Sequence, residues 1–342
     1  MLNNKLINAN NSMNFWQKAA DNSEYTYTHS YQAMGTTIDI KVNTSDSEGR
    51  KITKKVIQLI DNIEEIMNFH NPSSQISKVN CKAGKSWVSV NTELYFVVSE
   101  SKRYAHFTKG FFDITTGVLT AVWNHYTKVK NIPPHYLVEE ALKLVNYKDI
   151  LINKKNKKVK LKREGQKIDL GGIAKGYAAN QVIELFRKMG FTSGLINLGG
   201  NVSLLGTNLE RQPWVVGIQN PNRERGKSLG VVFLSDTSAV TSGDYERYFQ
   251  KNNIVYHHIL SPYTGYPARG GLRSVTVIHP DSMLSDVLST TIFTIGLEKG
   301  IGIIKSLSEV EVIIVTDNRI YLSSSLVKKF HLIEKGFSIF KI

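Results

Sequence analysis

The chain has 342 residues, 43 Lys and Arg against 29 Asp and Glu, a net charge of +14, and a 41% hydrophobic, 21% charged composition. That is the balance of a soluble globular protein with enough apolar content for a real core, and no apolar run approaches the roughly 18 residues of a membrane span. One cysteine, Cys81, excludes an internal disulfide and a cysteine-cluster metal site. The positive charge leaves nucleic acid, acidic membrane and anionic small molecules as partner classes. The opening residues lack the apolar core of a secretory signal, so a cytoplasmic location is expected for the sequence as it stands. A periplasmic or membrane-anchored location is the alternative if a leader is missing.

Residues 1–25 are polar and aperiodic and are expected to form a flexible arm, with a single domain over 26–342. Residues 31–42 read as a strand containing Met34-Gly35-Thr36. Ile52, Val56, Leu59, Ile60, Ile63 and Met67 recur at helical spacing, which predicts a helix over about 47–69. Asn91 is a good N-cap for a second helix running to about Lys109. A short helix over 137–145 follows Pro133-Pro134. In 150–161 apolar residues alternate on both sides of Lys155-Asn156, so the densest basic run, 154–167, predicts an exposed hairpin with a solvated lysine face. Few aromatics interleave with these lysines, as base stacking would require, and no nucleic-acid partner is expected.

A helix over 172–189 closes at Gly190, and a strand over 194–198 ends in Gly199-Gly200. Strands are expected over 214–219, 228–234, 255–260 and 272–279, a helix over 285–295, and a hairpin of 310–316 with 319–322 across Asp317-Asn318. Strands and helices intermix without a βαβ rhythm. The fold class is therefore α+β, with mixed, largely antiparallel sheets flanked by helices.

Five stretches carry chemistry. Asp169-Leu-Gly-Gly-Ile-Ala-Lys175 joins a strand to a helix start, where free N–H groups and the dipole favour an anion. A lysine in that first turn points to a phosphate, although a glycine turn with a solvated lysine would look the same. Asp286 and Thr290 lie at i and i+4 on one helix face, a carboxylate and a hydroxyl suited to Mg²⁺ or Ca²⁺. An aspartate complementing the helix dipole is the plainer reading. His257-His258 precede a Pro/Gly turn, and strand alternation points one inward and one outward. A histidine near a bound phosphate could take a proton from an attacking hydroxyl, although a hydrogen-bonded structural histidine would look the same. Phe111 and Phe112 beside Asp113 are suited to lining a ring pocket or to core packing. Thr241-Ser-Gly-Asp-Tyr245 reads as a turn rich in hydroxyls.

Together with Ser74-Gln-Ile-Ser-Lys-Val-Asn80, Asn197-Leu-Gly-Gly-Asn201 and Thr264-Gly265, these stretches resemble the flavin transferase family, the FAD:protein FMN transferases or ApbE family. The resemblance spans about 31–300 and implies a fold similar to the T-fold. It implies FAD as substrate, its pyrophosphate on Mg²⁺ held by Asp286, Thr290 and the carbonyl of Gly172. Met34, His70, Phe111, Phe112, Asp113, Asp169, Lys175 and Leu260 would contact FAD, and His258 would be the catalytic base. The implied reaction moves FMN to a threonine hydroxyl of an acceptor redox flavoprotein through a phosphoester, releasing AMP. A metal-dependent FAD pyrophosphatase and a non-catalytic FAD-binding protein are the alternatives. Three departures from the family pattern stand out: Ser261 where an Asp is usual, His70 where an aromatic is usual, and no export signal or lipid-anchored cysteine.

Overall fold

The computed structural model describes residues 25–342; the expected N-terminal arm lies, apart from Tyr25, outside them. Its centre is a nine-stranded sheet in the order Thr26–Ala33, Thr36–Asn43, Gly194–Leu198, Asn201–Leu205, Ser238–Gly243, Ser274–His279, Glu311–Val315, Arg319–Leu322 and Ser338–Lys341. Every neighbouring pair is antiparallel except the last. The α+β class with largely antiparallel pairing is thus as expected.

Strand alternation gives this sheet two buried faces. Val312 and Ile314 pack with Leu288, Ile292 and Phe293 of the helix Ser282–Ile295. Ile38, Ile40 and Ile196 pack with the helices Asp46–Met67 and Ala174–Lys188. Ile313, Val315 and Ile320 face the other way, onto Trp214, Leu229 and Val232 of a three-stranded sheet of Phe330–Leu332, Ser228–Leu234 and Trp214–Gln219. Helices cover one face and the small sheet the other.

The expected 31–42 strand is two strands, Thr26–Ala33 and Thr36–Asn43, paired across Met34-Gly35. Both turn residues have positive φ (51° and 69°), the geometry of a two-residue type I′ hairpin. Methionine carries no local signal for that conformation, which is why alternation alone read straight through it. The helix Asp46–Met67 matches the periodicity, and the Asn91 side chain accepts from Leu94 N–H to cap Thr92–Phe107. The helix Gly117–Lys128 was not foreseen. The stretch 241–245, expected as a turn, contributes its first residues to the strand Ser238–Gly243, paired on both sides. The lysine hairpin forms as expected from Ile150–Asn153 and Lys158–Leu161, with Val88–Ser89 as a third strand. Cys81 is free and exposed.

Candidate functional site

A cleft of about 780 Å³ is lined by segments far apart in sequence: 34–36, 67–70, 111–114, 169–175 and 256–260, with Asp286 and Thr290 from the helix Ser282–Ile295. Every residue singled out from the sequence for FAD contact, metal binding or catalysis lies on its wall.

Asp286 reaches the wall because two helices pack closely. A Cβ on Gly176 would stand 2.5 Å from the Ser282 carbonyl oxygen and 2.6 Å from Met283 Cα, so only glycine permits this approach. The Gly176 N–H then donates to Asp286 Oδ2 at 2.9 Å. Asp286 is 4% exposed, and its other oxygen accepts no bond from a described residue. The plainer reading of Asp286, an aspartate at the start of its helix complementing the dipole, does not hold, because the helix begins at Ser282. Asp281 is the N-cap, accepting from Met283 N and Leu284 N, and Asp286 sits inside the helix. It instead takes an N–H from the first turn of the facing helix, so that end presents one fewer free donor to a ligand than expected. Burial raises the Asp286 pKa, opposed by the Lys175 charge and the Gly176 N–H. The Lys175 side chain makes no hydrogen bond or ion pair with any described residue and lines the same wall.

One turn beyond Asp286, Thr290 Oγ1 lies 3.2 Å from Ser242 Oγ. Gly172 is alongside: a Cβ there would stand 3.5 Å from Thr290 Oγ1 and 3.4 Å from the Phe112 ring. Asp286, Thr290 and Gly172 therefore share one oxygen-bearing surface. Among the described residues no group of three or more His, Cys, Asp or Glu could hold a metal. A cation here would meet one carboxylate, one hydroxyl and a backbone carbonyl. That set fits Mg²⁺, which keeps few protein ligands and completes its shell with water and phosphate oxygens.

The two histidines diverge as alternation requires. His257 is buried, its Nε2 2.9 Å from the Ala268 carbonyl oxygen and its Nδ1 accepting the Ile259 N–H at 3.3 Å. Burial lowers its pKa to about 4. His258 instead keeps surface open to the cleft. Crowding by the cleft walls, then the charges of Lys175 and Arg247, lower its pKa to about 3, so the ring is neutral at pH 7. Its backbone N–H is held by the Arg247 carbonyl at 3.1 Å. Ser261, standing where an acid is usual, makes no bond to His258: its Oγ accepts the N–H groups of Tyr263 and Thr264, both at 3.3 Å. It organises the turn that follows the histidine.

The aromatic wall is Phe111, whose ring lies 4.7 Å from that of Tyr263, and Phe112, which is 4% exposed. Asp113 is mostly committed to the fold: Oδ1 accepts Thr115 N–H and Oγ1–H, and Oδ2 accepts Tyr147 N–H. Burial raises its pKa against those bonds. Asp169 Oδ1 accepts the Gly171 N–H at 3.0 Å and so shapes the glycine loop. Leu260 packs with the Trp123 cluster, and His70 is exposed at the rim with its ring edge-on to Phe69.

Met34 is tied down by Glu64, whose carboxylate accepts its N–H at 2.7 Å. Sequence reasoning missed Glu64 and Arg247. The Arg247 guanidinium donates to the Gly35 carbonyl at 2.9 Å, linking the Met34-Gly35 turn to the strand beside His258. An exposed arginine two residues past a hydroxyl-rich stretch gives no local signal of that reach.

The ApbE family model matches residues 34–314. The chain is 32% identical to the FAD:protein FMN transferase of Klebsiella pneumoniae, over 94% of this chain and 98% of that one. It is 28% identical to the enzyme of the same name from Treponema pallidum, over 91% and 90%. The crystal structure of the ApbE protein of Thermotoga maritima superposes with a TM-score of 0.79 at 33% identity, covering 85% of this chain and 94% of that one. The flavin transferase ApbE of Vibrio cholerae shares the fold, with a TM-score of 0.79 at 23% identity over 90% and 99%. With the match covering most of its length, the chain belongs to the ApbE family.

Proposed function

We propose that this protein is an FAD:protein FMN transferase. It moves FMN from FAD to a threonine hydroxyl of an acceptor redox flavoprotein, forms a phosphoester and releases AMP. The observation that carries the reading is the convergence of Asp286, Thr290, Gly172, Lys175 and His258 on one cleft beside the Phe111–Phe112 wall. The names of the relatives agree with it.

Met34, His70, Phe111, Phe112 and Leu260 would bound the flavin, with Asp113 and Asp169 holding the loops that shape its seat. Asp286, Thr290 and the Gly172 carbonyl would hold Mg²⁺. When bound, that ion supplies charge neutralisation at the phosphate oxygens. Lys175 adds a fixed positive charge where the pyrophosphate oxygens gain charge. His258, neutral and open to the cleft, accepts the proton of the attacking hydroxyl. The hydroxyl oxygen bonds to the phosphorus next to riboflavin, and the bond to the bridging oxygen of AMP breaks. An anionic diphosphate beside Lys175 and Arg247 offsets the charges that depress His258, so its basicity rises once substrate is bound.

Replacing His258 by Ala should lower the transfer rate by about 10²-fold or more with FAD affinity changed little. Equal losses in both would make it a structural residue. Asp286→Ala should abolish Mg²⁺-dependent turnover, because the set contains no second carboxylate, and unchanged dependence on Mg²⁺ concentration would reject the metal assignment.

A further inference from the structure

The face of the molecule that the cleft chemistry does not use is the outer side of the three-stranded sheet of Val88–Ser89, Lys158–Leu161 and Ile150–Asn153. Val88, Val159 and Ile152 point inward and pack with the main core. Alternation therefore sends Lys158 and Lys160 outward, in register with Asn153 and Leu151. Lys162 continues that row, and Lys154, Lys155 and Lys157 stand exposed at the hairpin tip. Trp87, one residue before the short edge strand, is 42% exposed on the flank of this row.

No salt bridge engages Lys154, Lys155, Lys158, Lys160 or Lys162 among the described residues, and the Lys157 ammonium bonds only the Thr92 hydroxyl. The acids at the border are already taken: Glu164 pairs with Lys85, and Asp149 with Arg163. Lysines at i, i+2 and i+4 on one strand sit about 7 Å apart on one face and repel one another. A surface that concentrates like charge in this way is complementary to a polyanion. The flanking ring selects among polyanions. A lone indole at the margin of a lysine field suits the headgroup layer of an anionic bilayer, where the ring embeds and the lysine stems snorkel. Base stacking would want aromatics between the lysines, and the field has none.

We propose that this lysine-and-tryptophan face docks the protein peripherally on anionic lipid surfaces, separately from the FAD cleft. The test is co-sedimentation of the full chain with phosphatidylcholine vesicles, with and without about a third phosphatidylserine, at about 0.1 M salt. Binding is expected only to the anionic vesicles, weakening as salt rises. Lys158→Gln with Lys160→Gln should lower the partition coefficient roughly 30-fold, from the usual contribution of one juxtamembrane lysine. Lys54→Gln with Lys55→Gln, exposed on the helix Asp46–Met67, makes the same charge change elsewhere and should leave it nearly unaltered. Vesicle addition should blue-shift tryptophan emission, and Trp87→Phe should remove that shift. Equal loss in both lysine pairs would reduce the effect to net charge and overturn the face assignment. Failure to bind anionic vesicles, or tighter binding to duplex DNA than to them, would overturn the proposal outright. Melting temperatures of the variants, all at exposed or partly exposed side chains, verify that each remains folded.

Discussion

His257 and His258 are chemically identical neighbours with opposite employment, and the difference comes from which way each points. His257 is buried neutral, with both ring nitrogens bonded to backbone groups. Its folded pKa of about 4 lies below the ordinary value of 6.5. Between those values the unfolded chain binds more protons than the folded one, so stability falls as pH drops through this window. The expected loss is about 3 kcal/mol by about pH 4, read as a falling melting temperature that His257→Gln flattens. A melting temperature equally pH-dependent in the variant would remove His257 as the cause. His258 reports a different quantity. Arg247 is a like charge beside its ring, so Arg247→Ala should raise the His258 pKa and shift the acid limb of the kcat/KM profile to higher pH. An unmoved limb would mean that another group titrates there.

At the scale of elements, the site depends on two helices lying almost in contact. Ala174–Lys188 supplies Lys175 and the N–H of Gly176; Ser282–Ile295 supplies Asp286 and Thr290. Gly176→Ala places a methyl against the Ser282 carbonyl and forces the helices apart. The expected cost is about 1–3 kcal/mol of stability, with a larger Mg²⁺ requirement because the Asp286 carboxylate loses its anchor. Retained stability and retained Mg²⁺ affinity would show that the close approach is not needed. Much of this was legible in the sequence. The periodicity of Ile52 to Met67, the Asn91 cap and the i, i+4 spacing of Asp286 and Thr290 are local signals, and local signals survive folding. Other features, the helix Gly117–Lys128 and the role of Glu64 among them, were not legible. The Met34-Gly35 turn needs a positive φ that methionine does not advertise. The strand Ser238–Gly243 is rich in small and hydroxyl residues and is held by pairing on both sides. Arg247 gains its place through a carbonyl 212 residues away in sequence.

At the scale of the whole molecule, one large, mostly antiparallel sheet carries helices on one face and a small sheet on the other, and the cleft gathers chain segments from residue 34 to residue 290. Ser261 shows how such a scaffold absorbs a local departure. A hydroxyl there satisfies two turn N–H groups, and the backbone of His258 is held by the Arg247 carbonyl. No helix of the described residues is long and apolar enough to cross a membrane. What separates this protein from an FAD carrier or an FAD pyrophosphatase is transfer of FMN to an acceptor. Its most direct test is incubation of the protein with FAD, Mg²⁺ and a threonine-bearing acceptor flavoprotein domain, followed by denaturation. The expected result is flavin fluorescence that stays with the acceptor, a mass gain of one FMN, and loss of both on threonine-to-alanine substitution in the acceptor. Free FMN and AMP with an unmodified acceptor, or FAD left intact, would contradict it.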